Sequence, residues 1–349
     1  MPVNDKITQA DYNSIRNKLA SVIGTGAASF GWGQTVVSSA VDVSNPVTIN
    51  EWGRLRFDII NAHRHIFGTT PTTAQPALGN TIRYSNTFVP DNSSDAPVTQ
   101  YNTYADSITS NRFTVHSSQA ATAAAGSMAT TWPGVYGADW TARLRGTITV
   151  SWPSANAARH FFNSGGELRF ASSRSGGSGT QQNTAWNSLL TSAGTQAFGA
   201  NMPGTGTSPM NGQNWYRLTS SFQEWYTISS STPYGSNNYK IYARTPSVAD
   251  NSGGAAASAE FLIEFNDGYV DPGVAPGSSF PVSGGEGVGG GGGGVQTATP
   301  ADFPPGDSVD GTFTTSVSYL YAFGVLEPSG TGNFTVTQPS ITFGVIAPA

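Results

Sequence analysis

Apolar residues in the first 70 positions recur at helical spacing. Four of them follow at intervals of three or four residues and so share one helix face: Tyr12, Ile15, Leu19 and Val22. Thr8 followed by Asp11 resembles a capping box, with Asp in place of Glu, and Gly24 is a typical helix end. The pattern therefore predicts a first helix from about residue 9 to residue 23.

A second helix is predicted after Thr48, because Thr48 and Glu51 form a capping box. Its predicted apolar side contains Trp52, Leu55, Ile59, His63 and either Ile66 or Phe67. The two short helices form a hairpin whose apolar stripe needs a partner, either the next domain or a second copy of the chain. We assign residues 1–70 to docking or oligomerisation. The expected assembly-interface residues are Tyr12, Ile15, Leu19, Trp32, Trp52, Leu55 and Ile59.

Polar and apolar residues alternate later in the chain, which is typical of half-buried strands. The clearest segments are 146–152, 239–244 and 260–265. Further strand candidates are 161–170, 222–229, 312–323 and 334–346, and one helix is predicted around 183–190.

These elements predict a mainly β protein, with an antiparallel β-sandwich or jelly-roll-like domain preceded by the helical hairpin. We place the sandwich at 131–349, with a Gly-rich loop at 284–294. Residues 71–130 are expected to be an irregular connector with a short helix. Within it, segment 113–116 suits a strand and the Ala-rich segment 117–131 a loop.

The amino-acid composition disfavours or excludes several classes of fold, site and partner. Charged residues make up 11% of the chain, which disfavours a helical bundle, and the absence of cysteine excludes disulfides and thiolate sites. Residues 1–244 hold all 16 basic side chains and carry a net charge of +5, whereas residues 245–349 carry −10. The acidic end either solubilises the β domain or meets a basic surface of another subunit. We expect no nucleic-acid partner and no membrane insertion.

Candidate chemical groups do not combine into a catalytic pattern. His63 and His65 point about 200° apart on a helix, so one metal ion cannot bind both, and we expect His63 on the apolar face. The acidic turn 264–271 favours a strand end over a calcium site, and 174–180 lacks the features of a phosphate loop. Asp139, Glu167 and Glu224 are candidate glycosidase carboxylates, but nothing pairs them. We therefore predict no enzyme activity, cofactor or metal.

Aromatic residues in loop-like sequence are the candidates for contact with a sugar ring. They are Trp132, Tyr136, Trp215 and Tyr216. Stacking on a sugar requires an exposed ring face, and a core or interface role is the alternative for each of them.

Several segments resemble structural proteins of tailed bacteriophages, especially those of cyanobacteria. The N-terminal similarity lies in Asp11-Tyr12-Asn13, Gly31-Trp32-Gly33-Gln34 and Ile49-Asn50-Glu51-Trp52. Later segments that resemble such proteins are 159–170 and Asn183-Thr184-Ala185-Trp186. The resemblance implies a virion component of the tail, neck or fibre type that forms a symmetric oligomer.

Together these observations predict a non-enzymatic virion protein, anchored by its N-terminal helices and displaying a β-sandwich. Expected partners are further copies of itself, as a trimer or other symmetric homo-oligomer, and virion proteins of the tail, neck or portal region. The N-terminus lacks a basic start followed by an apolar run, so we expect assembly in the host cytoplasm. The alternatives are adsorption to host-surface polysaccharide and capsid decoration.

Overall fold

The computed structural model describes residues 8–25, 30–42, 47–72, 98–132, 142–200, 214–246, 256–269, 309–324 and 334–348. In these ranges the chain forms a mainly β, antiparallel sandwich preceded by two N-terminal helices, which confirms the predicted fold class. No helix in the described ranges is long and apolar enough to cross a membrane.

Five helices occur in the described ranges, and local sequence explains most of their ends. They are α1 (Gln9–Ile23), α2 (Ile49–Phe67), α3 (Val98–Ser110), α4 (Ala155–Asn163) and α5 (Gln181–Ala193). Thr8 caps α1, since its side chain accepts from the Asp11 N–H while the Asp11 side chain accepts from the Thr8 backbone. Gly68 ends α2 in the left-handed conformation, at φ 74°.

The described strands form two antiparallel sheets. The strands are β1 (Ala120–Trp132), β2 (Ala142–Ser151), β3 (Glu167–Ser175), β4 (Thr195–Phe198), β5 (Gln223–Ser229), β6 (Asn238–Arg244), β7 (Ser258–Asp267), β8 (Gly311–Ala322), β9 (Ser340–Phe343) and β10 (Ala347–Pro348). One sheet has the order β1-β8-β3-β4. The other has the order β10-β2-β7-β6-β5, with β9 also paired to β2. Alternating burial along β6 and β7 places one face of the second sheet towards the first.

Aromatic side chains fill the space between the sheets. Phe170 of β3 lies 4.6 Å from Phe261 of β7, and Phe313 of β8 lies 4.9 Å from Phe265 of β7, measured between ring centroids. Trp186 of α5 contacts Phe313 edge-to-face. These contacts join the two sheets and α5 in one hydrophobic core.

Helices α1, α2 and α3 form a second core, which we call the helical layer. Trp52 of α2 lies between Tyr12 of α1 and Tyr101 of α3, with ring centroids 5.4 and 5.3 Å apart and edge-to-face geometry. Ala322 and Phe334, from the C-terminal part of the chain, belong to the same core. The apolar stripe of the hairpin is therefore covered within one chain.

The prediction of a loop at 117–131 was wrong, because residues 120–132 form strand β1. This strand pairs with β8 over its whole length and is interrupted by one bulge between Ala124 and Gly126. The segment is rich in Ala, which has low β propensity, and tertiary pairing with β8 overrides that preference. The sandwich thus begins before the predicted boundary at residue 131.

Two further strand predictions were wrong. The candidate 161–170 is helix α4 up to Asn163, and strand β3 begins only at Glu167. Ser154 caps α4 by accepting from the Ala157 N–H, a signal that marks the helix start in the sequence. Segment 113–116 is not a strand either. The predicted Gly-rich loop at 284–294 lies outside the described residues.

The buried stripe of α1 gives a direct test of the helical layer. Leu19 is fully buried there. We expect Leu19→Ala to lower the free energy of unfolding by about 2–5 kcal/mol, because it leaves a cavity in a packed core. Chemical denaturation of the purified chain measures this, with Ser14→Ala on the exposed side of α1 as the control. Equal stabilities for the two variants would contradict the assignment.

Candidate functional site: the junction of helices and sandwich

The helical layer and the sandwich meet at a buried histidine. His65 of α2 packs against both Trp32 and Phe334, with ring centroids 4.3 and 4.5 Å away, and those two rings also contact each other at 5.8 Å. Its Nε2 lies 2.9 Å from the carbonyl oxygen of Ser164, which directly follows α4. We call Trp32, His65, Ser164 and Phe334 the junction.

Backbone and amide groups around the junction add further links. The Trp32 Nε1–H donates to the Arg112 carbonyl at 2.8 Å, and the Asn163 amide donates to the Gly31 carbonyl at 3.0 Å. Gln34 both donates to the Thr335 carbonyl and accepts from the Thr335 N–H, at 2.9 and 3.2 Å. Three separate parts of the chain are thereby hydrogen-bonded to segment 31–34.

A close approach of backbones explains Gly165, which follows Ser164. Its φ is +87°, a region that favours glycine, and a Cβ there would lie 2.7 Å from the backbone nitrogen of Val115. A larger residue would push the chain before β1 away from α4.

The environment of His65 holds it neutral. Burial lowers the pKa of His65 to about 4, although the hydrogen bond to the Ser164 carbonyl acts in the opposite direction. Since a carbonyl oxygen only accepts, Nε2 must carry the proton of the neutral ring. The other ring nitrogen, Nδ1, is buried and has no hydrogen-bond partner among the described residues. A second proton would therefore be buried without an acceptor.

A buried carboxylate joins α2 to the segment after Trp32. Asp58 accepts from the backbone N–H groups of Val37 and Ser38, both at 2.9 Å, and from the Ser38 hydroxyl. Burial raises the pKa of Asp58 above its usual value, because these hydrogen bonds offset only part of the lost hydration. The group thus fixes the path of one chain segment against another.

After His65 and Asp58, a third polar contact joins separate chain segments, at the far end of the sandwich. We call it the Asp310 joint. The carboxylate of Asp310, just before β8, accepts from the backbone N–H and hydroxyl of Ser178 and from the side chains of Asn183 and Arg174. Arg174 is almost fully buried, with 2% of its side chain exposed, against 27% for Asp310. Burial acts to raise the pKa of Asp310, but the hydrogen bonds from Asn183 and Ser178 and the charge of Arg174 outweigh it and lower the pKa. The segment that superficially resembled a phosphate loop therefore holds an anion that belongs to the chain itself.

The seven expected assembly residues do not form a surface. All are buried in the helical layer: Tyr12, Ile15, Leu19, Trp32, Trp52, Leu55 and Ile59. Their apolar character is explained by contacts within the chain, so their assignment as a docking surface was wrong. The apolar stripe was expected to meet either the next domain or a second copy of the chain. The structure shows that other parts of the same chain cover it.

The four aromatic residues expected to contact a sugar differ in how exposed they are and in whether the structure describes them. Trp215 is fully buried, with its ring stacked on Phe162 at 4.6 Å, so it has no face for a ligand and that prediction was wrong. Tyr216 is half-buried and its hydroxyl donates to Asn163. The Trp132 side chain and Tyr136 lie outside the described residues.

Helical periodicity predicted His63 on the buried, apolar side of α2 and His65 away from it, but the structure has the reverse. His63 is half-buried and lies 2.8 Å from the Thr69 carbonyl through Nδ1, whereas His65 is buried. The prediction was wrong because α2 is covered on two sides, by α1 and α3 on one and by the junction on the other. The signal for this second side is the wide spread of apolar residues on α2, which includes Ile60 and Ala62.

The candidate carboxylates are not brought together. Glu167 lies on β3 and pairs with Arg169, whereas Glu224 lies on β5 in the other sheet and pairs with Lys240. Asp139 lies outside the described residues. Within the acidic turn, Glu264 pairs with Arg145 and Asp267 accepts from Gln182. The described part of the chain holds no group of three or more His, Asp or Glu side chains arranged for a metal ion.

Comparison with known proteins returns no match of any kind: no family model, no curated protein and no solved structure matches the chain. The function must therefore be argued from the molecule alone.

The neutral state of His65 predicts a pH dependence of stability. Its pKa is lower in the folded chain than the usual 6.5. Protons therefore favour the unfolded chain, and stability is lost as the pH falls from about 6.5 towards 4. Between pH 7 and pH 5 we expect this histidine to remove about 2 kcal/mol of unfolding free energy.

The measurement is the difference in unfolding free energy between those two pH values, for the wild type and for His65→Gln. The variant is expected to lose that dependence, whereas His63→Gln on the same helix should retain it. An unchanged pH dependence in His65→Gln would contradict the assignment.

The Asp310 hydrogen bonds predict a contribution to stability that is lost at a lower pH than that of His65. Asp310→Asn is expected to lower the unfolding free energy by about 1–3 kcal/mol at pH 7, because charge-assisted hydrogen bonds are lost. Since the pKa of Asp310 is lowered on folding, the advantage of the wild type should disappear as the pH falls below about 4. Denaturation at pH 7 and pH 3 measures both effects. Asp106→Asn, an exposed partner of Lys18, should change stability by less than about 1 kcal/mol, and equal losses in the two variants would count against the joint.

Proposed function

We propose that this chain is a non-enzymatic structural component of a bacteriophage virion, of the tail or neck fibre type. The observation that carries the proposal is that the ionisable groups with shifted pKa values serve structural contacts within the chain. Such groups in folded proteins often mark catalytic sites. Here Asp58, His65 and Asp310 each hold distant chain segments together.

The distribution of the remaining charges supports the same role. On the second sheet, Arg145 pairs with Glu264, Arg244 with Glu260 and Lys240 with Glu224, at 2.6 to 2.8 Å. These pairs lie on neighbouring strands and neutralise one another across the sheet. A surface of this kind suits permanent packing in a particle better than capture of a charged substrate.

Part of the first sheet supplies a different surface, whereas its strand β3 carries Glu167 and Arg169, which pair with each other. Strands β1 and β8 hold no Lys, Arg, Asp or Glu, and their outward positions are Thr, Ser and Ala, with Leu320 near one end. Neutral polar surfaces fit a virion protein that assembles with copies of itself and with other proteins of the tail, neck or portal region. The anchoring role of residues 1–70 is then carried by the outward sides of α1 and α2, since their apolar stripe is covered.

The resemblance of segments 11–13, 31–34, 49–52, 159–170 and 183–186 to tailed-phage structural proteins supports the proposal independently. Two of these segments, 31–34 and 159–170, meet at the junction, where Asn163 donates to the Gly31 carbonyl.

The test is the presence of the chain in purified particles of the phage that encodes it. We expect quantitative mass spectrometry to find a fixed number of copies per particle, and antibodies against the purified chain to label the tail or neck in electron micrographs. Pre-immune serum and a non-structural phage protein are the controls. A chain that is made during infection but absent from density-purified particles would refute the proposal.

A further inference from the structure

The described sheet edges differ in how well they are protected against pairing with another chain. Strand β4 has four residues, β9 four and β10 two, and short edge strands offer little to pair with. Strand β5 carries the charged Glu224 and a bulge directly after it. Charges and bulges are the usual means of preventing edge-to-edge association.

Strand β1 has little of this protection. It is 13 residues long, it forms one edge of its sheet, and it contains neither a charged residue nor proline. Its one irregularity is the bulge between Ala124 and Gly126, after which residues 126–132 continue in regular register. Among the described residues, β8 is its only strand partner. No strand in the described ranges pairs with the backbone N–H and C=O groups on the other side of β1, so these groups can accept a further strand.

The exposed large hydrophobic residues lie beside the same edge. In the described ranges they are Phe323, 47% exposed, and Val345, 85% exposed. The Phe323 N–H donates to the Gln119 carbonyl, one residue from the start of β1. Next to Val345, Ile346 packs with Met128 of β1 over Gly146. Two apolar side chains thus flank the unpaired edge.

We propose that β1 is a seam at which a second copy of this chain binds, with the two β1 strands antiparallel around a two-fold axis. Like charges that face each other across strands are destabilising, and β1 brings none to meet its own copy.

The seam is large enough to hold two copies together. In an antiparallel pair every second residue exchanges two hydrogen bonds, so two strands of this length form about ten. That number matches the roughly ten direct hydrogen bonds of a typical protein interface. Pairing would join the two four-stranded sheets into one continuous sheet and cover Phe323 and Val345. The inference rests on the edge itself and does not depend on the virion proposal.

The test is sedimentation equilibrium of the full chain with a matched pair of double variants. Ser127→Lys with Ala129→Lys places charges on β1, at the proposed seam. Ser316→Lys with Thr314→Lys places the same charges on the register partners of those residues, one strand inward on β8. All four side chains point to the same face of the sheet, so the two variants differ in their distance from the edge.

We expect the wild type to form dimers at micromolar concentration, the β1 variant to weaken dimerisation at least ~10-fold, and the β8 variant to leave it nearly unchanged. Denaturation midpoints close to that of the wild type show that both variants are folded. A wild type that remains monomeric at about 100 μM would overturn the proposal. Equal weakening by both variants would also overturn it, because the contact would then be the face of the sheet and not its edge.

Discussion

The structure depends on one buried, uncharged imidazole. His65 donates to the Ser164 carbonyl and packs against the rings of Trp32 and Phe334, so it joins α2, the turn after α4 and the C-terminal segment. Together with the hydrogen bonds of segment 31–34, this contact makes the N-terminal helices a structural part of the β domain. The apolar stripe of α1 and α2 is covered by α3 and by the C-terminal segment, so residues that look like an interface in the sequence serve as internal core.

Local signals predicted the elements whose sequence agrees with their final structure. The capping box at Thr8 and the alternation along 239–244 identified α1 and β6, because both signals act within one element. Strand β1 was missed because its Ala-rich sequence has no β preference of its own and becomes a strand only against β8. His65 was misplaced because the second covered side of α2 is created by residues about 100 and 270 positions away. The junction therefore forms through tertiary contacts, which helical periodicity cannot predict.

The two sheets differ in their surface charge and in how well their edges are protected. The second sheet pairs its charges across neighbouring strands and ends in short or charged edges. The first sheet is nearly neutral and ends in the long strand β1, beside Phe323 and Val345. Among the described residues β1 is the one long edge strand without a charge, so association is favoured at that edge and resisted at the others. This asymmetry connects the interior joints, which fix the shape of the subunit, with the proposed role in a particle.

The neutral state of His65, where the helical layer meets the sandwich, is open to direct measurement. The most direct measurement is a nuclear magnetic resonance titration of the imidazole nitrogens, which is practical because the chain has four histidines. The account predicts that His65 carries its proton on Nε2 and remains neutral until the pH approaches about 4, the value to which burial lowers its pKa. A His65 ring that titrates near 6.5, or that carries its proton on Nδ1, would contradict the account.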